Sequence, residues 1–148
     1  MNKPKFPNAD GQIIGTMIEL SRCSKLHRII VSGPNGPDRM FELYRHGFKR
    51  VATTSTCGLP QHQYDAAFVE WRQHPIKALA ATLDWLEHFL SASSVLVVWI
   101  DARERSEHGK LAPLLEKIGF RVEAGTRCPR GIVVSARRRD ASQQAIAA

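Results

Sequence analysis

Residues 28–38, Arg28-Ile29-Ile30-Val31-Ser32-Gly33-Pro34-Asn35-Gly36-Pro37-Asp38, constrain this chain more than any other stretch. Three consecutive β-branched apolar residues without alternation predict a strand covered on both faces. Gly33 and Gly36 then let the backbone turn or pass close to its neighbours. Pro37 suits the first turn of a helix, and Asp38 suits the positive end of its dipole. A buried strand that feeds a glycine turn and a helix is how an α/β domain opens. The free N–H groups at such a helix start favour an anion or a polar ligand. A plain strand-to-helix turn with two glycines explains the same residues.

The pattern downstream repeats the theme. Ile13, Ile14, Met17 and Ile18 recur at helical spacing within residues 11–22 and predict an amphipathic helix before the first strand (28–32). A helix over 38–46 is expected to bury Met40, Phe41 and Tyr44 and to stop at Gly47. Strands follow at 51–54 and 66–71. Pro75 opens the longest expected helix, to about Leu90, with Ile76, Leu79, Leu83, Leu86 and Leu90 inward and Lys77, Asp84 and His88 on the opposing stripe. Residues 94–100 are almost wholly apolar and predict a central strand. A helix over 111–118 tolerates Pro113 in its first turn. Gly119-Phe120-Arg121-Val122 then repeats the return Gly47-Phe48-Lys49-Arg50-Val51. Strands at 122–126 and 132–136 flank Cys128-Pro129-Arg130-Gly131 as a hairpin.

Strands alternating with helices predict a mostly parallel sheet with right-handed crossovers, closed by an antiparallel strand. At 148 residues this is a single α/β domain over 1–148, with residues 1–10 as a flexible arm and 140–148 as a flexible tail. No apolar run reaches membrane-spanning length, and the first eleven residues lack the apolar core of a secretory signal, so a cytoplasmic protein is expected. Cys23, Cys57 and Cys128 are too scattered for a disulfide framework or a zinc knuckle. Cys57, His62 and His74 make an incomplete ligand set, and no metal is expected.

In such sheets ligands sit beyond the carboxyl ends of the strands, at the point where strand order reverses. Those ends carry Ser32 to Gly36, Thr54 to Thr56, Glu70 to His74 and Asp101 to Arg105. In Glu70-Trp71-Arg72-Gln73-His74-Pro75, Trp71 offers a stacking surface and Glu70 or His74 a proton acceptor. The alternative packs Trp71 under the long helix and pairs Glu70 with an arginine. Asp101-Ala102-Arg103-Glu104-Arg105 suits a charged substrate or a solvated loop with internal ion pairs.

The order of pieces from about Lys25 to Arg139 resembles the class I S-adenosylmethionine-dependent methyltransferases. The likeness rests on Ser32-Gly33-Pro34-Asn35-Gly36 as the glycine loop, on Glu70-Trp71-Arg72 at a later strand end, and on the closing helix and hairpin. It implies a three-layer, Rossmann-like sheet and S-adenosylmethionine, or a related nucleoside, against Ser32, Gly33, Pro34, Asn35, Gly36, Thr54, Glu70 and Trp71. Three features depart from the family. Val31 and Ser32 offer no acid at the loop, which has two glycines where three are common. Thr53, Thr54 and Ser55 stand where an acid usually holds the ribose hydroxyls. The family's motif of Asn or Asp, two prolines and an aromatic residue is also missing. Residues 55–64 are too few for a crossover helix, so either a strand is missing or residues 55–71 pair differently.

Three functions are therefore open: a methyltransferase-type enzyme, a non-catalytic interaction module on a degenerate fold of that type, and a nucleic-acid-binding module. A net charge of +7 favours anionic partners. Arg121, Arg127, Arg130 and Arg137 to Arg139 are the cations considered for nucleic acid, although alternate strand faces divide them.

Overall fold

The computed structural model describes residues 9–54, 63–72, 76–101, 105–128 and 131–138. Its elements are α1 (Ala9–Ser21), β1 (Ile29–Ser32), α2 (Gly36–Arg45), β2 (Val51–Thr53), β3 (Tyr64–Trp71), α3 (Ile76–Glu87), β4 (Leu90–Asp101), α4 (Arg105–Lys117), β5 (Phe120–Cys128) and β6 (Gly131–Arg138). They form one six-stranded sheet in the order β2-β1-β3-β4-β6-β5. β1 pairs in parallel with β2 and β3, and β3 pairs in parallel with β4. β6 runs antiparallel to both β4 and β5.

Two cores cover the sheet. Ile13, Ile14 and Met17 of α1 and Leu43 of α2 pack with Ile29, Val31, Phe68, Val97 and Trp99 on one face. Leu79, Leu83 and Leu86 of α3 and Leu111 and Leu115 of α4 pack with Ile30, Val69, Leu96 and Val98 on the other. The result is the expected three-layer α/β arrangement with β4 inside the sheet. No helix of the described residues is long and apolar enough to cross a membrane.

Gly47 and Gly119 both adopt positive φ, at 94° and 95°, and each delivers a buried phenylalanine to the sheet. Phe48 enters the α1/α2 core and Phe120 the α3/α4 core. The same three-residue device thus serves opposite faces.

Several sequence expectations are corrected. Ala9 and Asp10 belong to α1 and not to an arm. The helix expected to be longest ends at Glu87, shorter than α1 or α4, because His88 and Phe89 turn back on Trp85 and Leu86 and release Leu90 into β4. Pro113 sits inside α4, whose start at Arg105 lies well before it. The ten residues 54–63 do return the chain parallel, since Ala66 to Val69 pair with Ile29 to Ser32. β3 therefore follows β2 across β1 directly, and the described residues contain no strand outside β2. Residues 1–8, 139–148, Pro129, Arg130, Cys57, His62 and His74 lie outside the described residues.

α2 shows the largest difference. It starts at Gly36, with Pro37 in its first turn, and buries Gly36, Arg39 and Leu43. Phe41 and Tyr44, expected inside, are exposed. A charged residue takes the inward position because the sheet offers it a carboxylate.

Candidate functional site

β1 stops at Ser32 and the chain turns through Gly33, Pro34 and Asn35 into α2. Gly33 and Pro34 are exposed, Asn35 is half-buried, and Ser32 and Gly36 are buried. Asn35 precedes the helix without a side-chain cap to its N–H groups. Strand order reverses between β1 and β3, so this turn lies at the switch point.

Gly33 is demanded by its surroundings. Its φ is +139°, and a Cβ there would stand 2.8 Å from the Glu70 carbonyl oxygen and 2.9 Å from the Glu70 Cβ. The close approach that glycine permits is therefore to β3 itself. Gly36 is under no such pressure, because its nearest neighbour would be the Thr53 methyl carbon at 3.6 Å. That contact brings the end of β2 against the first turn of α2. Thr54 is half-buried beside it and donates its N–H to the Val31 carbonyl at 3.1 Å.

Glu70 is 3% exposed. Arg39 donates to it from Nε and Nη2, at 2.9 and 3.1 Å. Arg72 approaches the same carboxylate, with Nε 2.6 Å from Oε2, and its guanidinium lies 4.6 Å from the centroid of the Trp99 ring. Arg39 also pairs with Glu42 at 2.7 Å. Two arginines and two glutamates thus make a balanced cluster beside the turn, which is what burying such charges requires. Trp71 faces the other way and packs against the α3/α4 core. Glu70 and Trp71 are sequence neighbours that the pleat sends to opposite faces.

The structure therefore brings together Ser32, Gly33, Pro34, Asn35, Gly36, Thr54 and Glu70, and it turns Trp71 away. The alternative that pairs Glu70 with an arginine and packs Trp71 on the helix layer is the arrangement found. Arg39 is the residue the sequence reading missed. Its signal was present: Gly36, Arg39 and Leu43 share one helical stripe. Of the carboxyl-end segments, 55–62, 73–75 and 102–104 lie outside the described residues.

Comparison with known proteins agrees with this fold. No protein-family model matches the sequence, and no curated protein does. Among solved structures, the chain is similar to 1,6-didemethyltoxoflavin-N1-methyltransferase of Burkholderia thailandensis, solved with bound 1,6-didemethyltoxoflavin and S-adenosylhomocysteine. That match has 15% identity and a TM-score of 0.59 and spans 88% of this chain and 83% of that one. An S-adenosylmethionine-dependent methyltransferase from Aquifex aeolicus is also 15% identical, with a TM-score of 0.60 over 88% and 90% of the two chains. The [4+2]-cyclase SpnF matches at 10% identity and a TM-score of 0.60 over 88% and 81%. The chain has the class I methyltransferase-like fold. A cyclase among proteins of this fold is a reminder that fold alone does not determine the reaction.

Proposed function

We propose that this chain is a methyltransferase-like domain that binds S-adenosylmethionine or a related nucleoside at the carboxyl ends of β1 and β2. Ser32, Gly33, Pro34, Asn35, Gly36 and Thr54 would contact the ligand, with Glu70 behind the turn, while Trp71, turned to the α3/α4 core, lies outside the site. The observation that carries this reading is the exposed Gly33–Pro34 turn at the switch point, running into a helix start that the Asn35 side chain does not cap.

The groups present fit a nucleoside. Backbone N–H groups and the hydroxyls of Ser32 and Thr54 match ribose and ring atoms by hydrogen bonding. The arginines nearby are already paired with Glu70 and Glu42, so a cationic sulfonium meets a balanced cluster. S-adenosylmethionine, when bound, supplies an electrophilic methyl group. The part of the chain is to hold and orient it, which can itself contribute much of a rate enhancement.

One observation favours a second reading, a domain that binds the ligand without transferring a group. Both Glu70 oxygens are engaged by arginines, and neither β1 nor β2 ends on an acid.

Titration calorimetry with S-adenosylmethionine and S-adenosylhomocysteine tests both. Binding in the micromolar range supports the site, and no heat at millimolar ligand overturns it. Binding without passage of labelled methyl to any macromolecular or small-molecule fraction supports the second reading.

A further inference from the structure

Two stretches of the sequence, residues 20–37 and 43–64, contain no Asp or Glu. The fold brings them together. Ile29 of β1 lies opposite Val51 of β2, and the Ile29 N–H donates to the Arg50 carbonyl at 2.9 Å. The approaches to both strands therefore meet at one corner of the sheet. Lys25 runs along Gly47, where a Cβ would stand 2.9 Å from Lys25 Cδ and 3.2 Å from its Nζ.

Lys25, Arg45, Lys49 and Arg50 are all exposed at this corner. A single cation suffices to answer the carbonyl end of α2, and Arg45 holds that place. The other three exceed that need. None of the four forms an ion pair with the described residues. Of the four flanking acids, Glu19 is exposed on α1 and forms no ion pair with the described residues, and the other three are engaged or distant. Asp65 accepts the Arg28 N–H at 2.8 Å, Glu42 is held by Arg39, and Asp38 sits at the other end of α2.

The same corner exposes flat apolar surface. Phe41 is 56% exposed and Tyr44 40%, with ring centroids 6.3 Å apart at 62°. The Tyr44 hydroxyl reaches the Val51 carbonyl at 3.5 Å, which sets its ring beside the start of β2 and the Arg50 backbone. Leu26, beside Lys25, is 75% exposed. The fold itself gains nothing from leaving these groups in water.

We propose that this surface binds single-stranded nucleic acid, with bases stacked on Phe41 and Tyr44 and phosphates held by Lys25, Arg45, Lys49 and Arg50. Each nucleotide presents a flat ring next to an anion, and here two exposed aromatic rings share a corner with cations that form no ion pair with the described residues. A duplex hides its base faces. A membrane surface would call for a continuous apolar helix face, whereas the outward positions of α2 before Phe41 are Pro37 and Asp38. The corner is at the amino ends of the strands, opposite the Ser32–Gly36 turn, so failure of either proposal leaves the other standing.

Fluorescence anisotropy with labelled oligo-deoxythymidine and oligouridine of about 12 nucleotides tests it on the full chain. The expected log–log salt slope is about −3, for four phosphate contacts on a single strand. Lys49→Glu with Arg50→Glu weakens binding about tenfold or more and flattens that slope. Phe41→Ser with Tyr44→Ser weakens it about fivefold or more and leaves the slope unchanged. Lys110→Glu with Lys117→Glu, the same charge change at exposed residues of α4, leaves affinity within about twofold. If charge reversal lowers the melting temperature, Lys49→Gln with Arg50→Gln replaces it. Four results would overturn the proposal: no binding at about 100 μM protein in low salt, equal loss in the control pair, indifference to the aromatic substitutions, and preference for a duplex or for phosphatidylserine vesicles over the oligonucleotides.

Discussion

Arg39 grips Glu70 with two parallel hydrogen bonds, Nε to Oε1 and Nη2 to Oε2, and so fastens α2 to the carboxyl end of β3. Both side chains are almost wholly out of water, at 4% and 3% exposure. Removing one partner from such a pair strands a buried charge, whereas replacing both with apolar groups is often nearly neutral. Arg39→Met is expected to cost about 3 kcal/mol or more, moderated by the remaining Arg72 contact. Arg39→Met with Glu70→Leu should recover most of that loss. Urea unfolding of the two single variants and the double supplies the cycle. Additive losses would mean that the two residues act independently.

Gly33 and Gly119 separate two costs of a side chain at positive φ. Both positions disfavour any residue with a Cβ. At Gly119 the space is open, but at Gly33 the Cβ would collide with Glu70. Gly119→Ala is expected to lose about 1 kcal/mol of stability. Gly33→Ala should lose roughly 1–3 kcal/mol more, as β3 or the turn shifts to relieve the clash. Comparing their unfolding midpoints checks this, and equal losses would show that the turn yields freely. For the same reason Gly33 substitutions are a poor probe of ligand binding, because they disturb β3 first.

Much of this arrangement was legible in the residues. Unbroken apolar runs at Ile29 to Val31 and Val95 to Ile100 predict strands covered on both faces, and they are. The glycine-phenylalanine returns at Gly47 and Gly119 were readable because each carries its own local geometry. What failed were judgements that depend on partners distant in sequence. Arg39 lies 31 residues from Glu70, and although it shares a helical stripe with Gly36 and Leu43, only that distant carboxylate makes it favourable for the arginine to turn in while Phe41 turns out. Trp71 suggested a ligand platform by type, but strand alternation sends it to the α3/α4 core. Pro113 belonged at a helix start by propensity. Tertiary packing of Leu111 and Leu115 keeps the helix going through it.

Cys23 follows α1 and is half-buried beside Ser21, whose hydroxyl accepts the Cys23 N–H at 3.2 Å. Burial pushes its thiol pKa up, and the Asp65 charge adds to this. A hydrogen bond between the thiol itself and Ser21, and the positive charge of Arg137, oppose it. Alkylation needs the thiolate. With Cys57→Ser and Cys128→Ser in place, Cys23 should react with iodoacetamide more slowly in the folded chain than in urea at any pH near neutrality. The stability sign follows from linkage. A folded-state pKa above the unfolded one means stability that is complete below the unfolded value and lost as pH rises through the folded one. Unfolding midpoints should therefore decline above about pH 8.5, and less steeply in Cys23→Val. A folded thiol that reacts as fast as the unfolded one would contradict the assigned direction.

Thr54 tests the ligand proposal by gain of function. It stands at the carboxyl end of β2, where the methyltransferases that this chain resembles usually carry an acid for the ribose hydroxyls. Its side chain is half-buried, and its backbone is already fixed by the bond to Val31. A hydrogen bond to an ionised acceptor contributes roughly 1.5–3 kcal/mol, against about 1 kcal/mol for a neutral one. Thr54→Asp is therefore expected to tighten S-adenosylmethionine binding by up to about tenfold while leaving the oligonucleotide affinity within about twofold, because the basic corner lies at the other end of the strands. Calorimetry and anisotropy on the same preparation read both. A variant that folds and binds the nucleoside no better would place the ribose away from β2 and move the site toward the segments beyond β3 and β4.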